Sequence, residues 1–136
     1  MNYLYYILSI LVFTIFDIIG YYLILTKKET TEPFKIYLYL YRFLQTSFQI
    51  GISIALYFID IRIMFCFIIS WWFGLCDYLY YIFTKRNIWK WINMYWLWWT
   101  PFGIILNLFK KDITGKYLTV SSILIFIFSI IYLLVR

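Results

Sequence analysis

Read for the alternation of apolar and polar positions, the chain falls into long apolar segments parted by short charged ones. A first segment, about 2–25, is interrupted only by Asp17. The polar run Lys27-Lys28-Glu29 through Glu32-Pro33 to Lys35 then supplies charges and a helix breaker, the signature of a loop. A second apolar segment, about 36–59, carries Arg42, Gln45 and Gln49, and Asp60-Ile61-Arg62 makes a tight turn into a third, about 63–83, that holds Asp77. A last one, about 117–135, has only hydroxyls, Thr119, Ser121, Ser122 and Ser129, among its polar groups. Each of the four is long enough, as a helix, to cross a hydrocarbon core of ~30 Å. The pattern therefore predicts an all-α, polytopic integral membrane protein formed as one domain over 1–136.

The segment 88–109 admits two readings. It holds Trp89, Trp91, Trp96, Trp98 and Trp99, then Thr100-Pro101-Phe102-Gly103. Proline and glycine there predict a re-entrant or interfacial helical hairpin with its tip at Thr100, Pro101 and Gly103. The alternative is a fifth span kinked at Pro101. Loop charges favour the hairpin. With four spans, Lys27, Lys28, Lys35, Lys85, Arg86, Lys90, Lys110, Lys111 and Lys116 share one side, against Arg62 and Arg136 on the other. A fifth span would move Lys110, Lys111 and Lys116 across and blur that asymmetry, whereas cytoplasmic loops concentrate Lys and Arg. Indole also suits the headgroup region, keeping its N–H wet and its ring in lipid. This reading puts the N-terminus outside, the basic loops in the cytoplasm and the chain in a membrane, the cell membrane being the expected one. The first segment lacks a basic leader and exceeds a signal-peptide core of about 7–15 residues, so it is read as a retained span.

Composition strengthens the membrane reading. Of the 136 residues 65% are hydrophobic, 26% aromatic and only 13% charged, whereas soluble domains average roughly 45–50% apolar and about 25% charged. A chain this short buries only about two-thirds of its surface in water, so the excess must face lipid. The net charge of +6 then reads as loop charge, and nucleic acid is not expected as a partner. Histidine is absent, which removes His-based triads, His proton relays and His-liganded metals. Cys66 and Cys76 stand ten residues apart in one segment, ~15 Å of helical rise and too far for a disulfide. Neither a metal nor a cofactor is expected.

The candidate chemistry lies in the polar residues within the spans. Asp17 is ten residues before Lys27, Arg42 seven after Lys35 and Asp77 eight before Lys85, so all three sit ~10–15 Å in from one basic face. Helical spacing aligns Arg42, Gln45, Gln49 and Ser53 on one stripe, Ser70, Gly74, Asp77 and Tyr81 on another, and Thr14, Asp17 and Tyr21 on a third. Polar groups facing lipid are expensive, so the stripes are expected to turn toward one another. The expectation is a polar layer of Asp17, Arg42, Gln45, Gln49 and Asp77, with Arg42 between the two carboxylates. The tip at Thr100 to Gly103 is read as dipping toward it, with Trp71, Trp72, Tyr78, Tyr80 and Tyr81 as candidate walls.

Asp17-Ile18-Ile19-Gly20 resembles the acidic residue and following glycine of the first span in small multidrug-resistance exporters, which are four-helix, proton-coupled dimers. The likeness covers four residues. The chain departs from that family in having Asp for Glu, an Arg in its second span, a second acid in its third, and no glycine-rich dimerisation span. It assigns no family here.

Three functions fit these residues. The first needs the fewest assumptions: an accessory or assembly subunit, non-catalytic, whose polar layer orients its helices within a homo-oligomer or a larger membrane complex. The second is a proton-coupled carrier of a small amphipathic or lipid-like solute, with two carboxylates and a fixed cation at its centre. The third, a lipid-modifying enzyme using Asp17 or Asp77 as base, is the weakest, because nothing in the residue set identifies a reaction.

Overall fold

A computed structural model of the chain describes residues 1–25, 34–85, 94 and 97–135. The connector 26–33 and most of the first half of the Trp-rich segment lie outside the described residues, so the readings made on Lys27, Lys28, Trp89, Trp91 and Trp96 find no counterpart here. Among the described residues all regular structure is helical: α1 (Asn2–Asp17), continued by a π-helical stretch (Ile18–Leu25), α2 (Phe34–Ile59), α3 (Ile61–Trp72), α4 (Leu75–Phe83), α5 (Pro101–Leu108) and α6 (Gly115–Leu134).

Helix α1 is central, packing on α2, α3, α4 and α6. Its Tyr6, Ile10 and Phe13 meet Ile63, Cys66 and Phe67 of α3, Leu56 of α2 and Ile125 of α6 in the main core. A second cluster joins Tyr80 and Tyr81 of α4 to Met94, Leu97, Leu106, Ile113 and Leu118. One corner is stapled by Asp60, the single residue between α2 and α3. Its side chain caps α3 by accepting from the Arg62 N–H at 2.8 Å, pairs with the Arg62 guanidinium at 2.9 Å, and accepts from the Asn2 amide. Arg62 also donates to the Val135 carbonyl, so the start of α1, the α2–α3 corner and the end of α6 share one end of the molecule.

The packing inverts what water would select. On α6 the hydroxyls of Ser121, Ser122 and Ser129 are buried, while Ile123, Leu124, Ile127, Phe128 and Ile131 are exposed. Along α1 and the π-helical stretch that continues it, Leu4, Leu8, Val12, Ile15 and Ile19 form an exposed apolar strip, with Thr14 and Asp17 turned inward. The buried hydroxyls bridge helices: Ser70 bonds with Tyr6 at 2.7 Å and with Ser129 at 3.3 Å. Contacts of this kind are worth ~0.6–2 kcal/mol each where apolar surface has no water to escape.

Two sequence expectations are corrected. Among the described residues, two helices are long and apolar enough to cross a membrane, Asn2–Tyr21 and Gly115–Leu134, or three if the bent pair α3 and α4 counts as one span; four were expected. Helix α2 has the length, with 26 residues, but the stripe of Arg42, Gln45, Gln49 and Ser53 dilutes its hydropathy. The third segment, expected as one continuous helix over 63–83, is broken at Phe73–Gly74, and its halves meet at 65°. Gly74 takes φ +84°, a left-handed conformation that costs side-chain-bearing residues. The carbonyls at the break are not left bare: Ser121 donates to Phe73 O at 2.9 Å and Ser122 to Gly74 O at 3.4 Å. The serines of the last helix thus make the break in the third segment tolerable.

Candidate functional site

The three polar stripes are buried in part, with Arg42 exposed and Gln45 and Asp77 half-buried. Thr14 and Asp17, Gln49 and Ser53, and Ser70 are buried. What they form is a relay and a cavity, rather than a single cluster. Asp17, the last residue of α1, is closed off by α2: the Tyr41 hydroxyl donates to its Oδ1, and the Gln45 amide donates to the same oxygen at 2.8 Å. Gln45 in turn accepts from the Arg42 guanidinium at 2.9 Å. Arg42 therefore reaches Asp17 through Gln45, and this chain of bonds fixes which way the Gln45 amide points.

Arg42 was expected between the two carboxylates; it lies within Coulombic range of both without pairing directly to either. Arg42 makes no ion pair with Asp17 or Asp77; the one carboxylate–cation pair within 4 Å among the described residues is Arg62–Asp60. The buried face of α2 runs through Tyr41, Gln45, Gln49 and Ser53, at spacings of four, and Arg42 sits at its exposed edge. Gln49 is buried farther along that face and does not line the cavity.

The cavity, of about 300 Å³, opens between α2, α4 and the turn before α5. Arg42, Gln45 and Thr46 contribute from α2, and Cys76 and Asp77 from α4. Phe13, Trp71, Leu97 and Trp99 complete the wall. Asp77 enters because Gly74 starts α4 and redirects it, leaving Asp77 in the first turn of the new helix. No hydrogen bond or ion pair is made by the Asp77 carboxylate among the described residues, although it lies within Coulombic range of Asp17 and Arg42. Arg42 and Thr46 are exposed at the rim, whereas Cys76 and Leu97 are buried at the floor.

The described part of the Trp-rich segment turns back on itself. The Met94 N–H donates to the Ile113 carbonyl at 2.6 Å, bringing both sides of the segment together. Between them α5 has eight residues, about 12 Å and too short to cross a bilayer. Thr100 caps it, accepting from the Gly103 N–H at 3.1 Å and donating to Leu97 O at 2.8 Å, with Pro101 in the first turn where its missing N–H costs nothing. Thr100, Pro101 and Gly103 thus build the turn, and its preceding residues Leu97 and Trp99 reach the cavity. Trp99 is held by its carbonyl, which accepts from the Trp72 indole at 3.0 Å, and by its ring, 5.0 Å from that of Trp71. Among the described residues, no group of His, Cys, Asp and Glu is arranged to hold a metal ion, and Cys66 and Cys76 are free thiols.

Sequence reasoning missed Tyr41. It reads as one more aromatic in an aromatic-rich helix, yet it stands four residues before Gln45, one position off the stripe that Arg42 suggested. Gly20 belongs with it: a Cβ there would lie 2.4 Å from the Tyr41 ring, so this glycine clears the space that lets Tyr41 reach Asp17.

No protein-family model, curated protein or solved structure matches this chain.

Proposed function

We propose that the chain is a small integral membrane protein that binds a small amphipathic solute in the cavity beside Asp77, as a proton-coupled carrier or the binding subunit of one. The observation that carries this reading is that Arg42 and Asp77 line one cavity without pairing to each other. Residues that serve only to hold helices together close on one another, as Asp17, Tyr41 and Gln45 do. Charges left open toward a cavity of ligand size suit a binding site. A helix broken three residues before an acidic group supports the same reading, since discontinuous helices are where carriers expose polar groups.

In this proposal α2 is a further span, with apolar residues such as Leu40, Leu44, Ile50 and Ile54 outward. The Trp-rich segment, about 88–109, is taken as the non-crossing hairpin, the N-terminus as outward and the basic segments as cytoplasmic. The test is proteoliposome flux with an internal pH dye, using octylamine, octyl phosphate and octylphosphocholine as probes. At least one probe should move protons with it, and Asp77→Asn should abolish that movement while thermal unfolding in detergent is unchanged. If no probe moves or binds, and Asp77→Asn alters only abundance, the carrier reading is overturned.

A second reading, the accessory subunit of a larger assembly, is favoured by one face of α2. Ser47, Gly51 and Ala55 follow at four-residue spacing on its exposed side, and nothing lies within 4 Å of a Cβ at Gly51. Small residues at that spacing let membrane helices approach closely. Gly51→Leu would then reduce the mass of the native complex without touching probe binding.

A further inference from the structure

We infer that the cavity takes a zwitterion, with an anionic group at Arg42 on the rim and an ammonium group at Asp77 within, the chemistry of a phosphocholine or phosphoethanolamine unit. The inference rests on the solute-binding reading above. Its first ground is charge. The cavity wall carries two formal charges, the Arg42 guanidinium and the Asp77 carboxylate, of opposite sign and not paired. A simple cation would neutralise Asp77 and leave Arg42 facing it across a small volume; a simple anion would do the reverse. A ligand bearing both charges satisfies both walls.

The donor geometry fits each end. Arg42 spends one N–H on Gln45, which anchors the guanidinium, and its remaining N–H donors have no protein acceptor among the described residues. A fork of free N–H groups is what a phosphate or carboxylate recognises, and the Thr46 side chain stands beside it on the same rim. At the other end, Asp77 shares the cavity with the indoles of Trp71 and Trp99, which are tilted 34° to each other. Indole rings and a carboxylate in one wall suit an alkylated ammonium, which is attracted to aromatic rings without needing hydrogen-bond acceptors.

Position sets the orientation. Arg42 is exposed, whereas the floor around Asp77 is buried, so the anionic end remains outermost. Volume sets the size. About 300 Å³ is at the small end of ligand pockets, enough for a headgroup and not for acyl chains. The same zwitterion has two sources, a soluble solute or the headgroup of a lipid whose chains stay in the bilayer.

The test is equilibrium binding to the full chain in phosphatidylglycerol nanodiscs, which supply no ammonium headgroup. The probes are octylphosphocholine, octyltrimethylammonium, octyl phosphate and free phosphocholine. Octylphosphocholine should bind about ten-fold or more tighter than either octyl probe that bears charge of one sign alone, the value of one charge-assisted contact. Arg42→Gln should weaken octylphosphocholine by that factor while octyltrimethylammonium binds no more weakly, freed of a like charge, and Asp77→Asn should weaken both. Free phosphocholine displacing octylphosphocholine at equal concentration identifies a soluble zwitterion; displacement only by the octyl form identifies a lipid headgroup. If octyltrimethylammonium binds as tightly as octylphosphocholine and Arg42→Gln changes neither, the zwitterion is wrong and solute binding stands. If none of the probes binds, both fall.

Discussion

The Tyr41 hydroxyl donates to the Asp17 carboxylate across the α1–α2 interface, and the ring that carries it lies where a side chain on Gly20 would be. Three residues on two helices therefore act as one device. Tyr41→Phe removes the donor and should destabilise the fold by about 1–2 kcal/mol, the range for a buried bond whose acceptor is left short of partners. Gly20→Ala should cost a similar amount by forcing the Tyr41 ring aside. Because both act on one contact, the double variant should cost clearly less than the sum of the two. Denaturant unfolding in mixed micelles measures all three; strict additivity would show that Gly20 does not act through Tyr41.

The turn before α5 is equally specific. A Cβ on Gly103 would stand 2.1 Å from the backbone oxygen of Leu97, which no side-chain movement relieves. Gly103→Ala should open the turn, uncouple Thr100 from its cap and displace Trp99 from the cavity. Thr100→Ala removes the cap alone and should cost about 0.5–2 kcal/mol. The two are distinguishable by acrylamide quenching of Trp fluorescence: Gly103→Ala should raise it markedly, and Thr100→Ala only slightly.

How much of this was legible in the chain follows from what periodicity can report. Helical spacing gave the inward faces of α1, α2 and α3 because burial selects for them directly: Thr14, Asp17, Gln49, Ser53 and Ser70 are all buried. It misplaced Arg42 by one position, since a stripe about 100° wide tolerates a neighbour, and it passed over Tyr41 for want of contrast with other aromatics. The break at Gly74 was invisible because it is a tertiary arrangement. A lone glycine in an apolar run signals nothing until Ser121 and Ser122, nearly fifty residues later, arrive to accept its consequences.

That dependence is testable. Gly74→Ala should destabilise the chain by about 1–2 kcal/mol, since φ +84° penalises any side chain, and the new Cβ would also press on Leu118, at 2.7 Å. Ser121→Ala should cost less in stability yet loosen the same bend, because it strips the Phe73 carbonyl of its partner. The distance between spin labels at Ile68 and Ile82, read by electron paramagnetic resonance, should lengthen in both variants as α3 and α4 straighten. An unchanged distance in both would show that the bend is held by packing alone.

The last expectation concerns pH and the far corner of the molecule. Arg62 beside Asp60, first by its guanidinium and then by its backbone N–H, holds the Asp60 carboxyl below the ordinary carboxylate range. A group whose folded value is depressed binds its proton more readily when unfolded. Its contribution to stability is therefore fully present above the ordinary value and is lost as pH falls through the folded one. Asp60 joins the corner of α2 and α3 to Asn2, and Arg62 reaches Val135, so its protonation should loosen the ends of α1 and α6 together. Amide exchange at Leu4 and Leu134, followed from pH 6 downward at matched intrinsic rates, should quicken on acidification in the native chain. In Asp60→Asn it should be faster already at pH 6 and flat below it. Acid-dependent exchange that persists in Asp60→Asn would assign the effect to a different carboxylate.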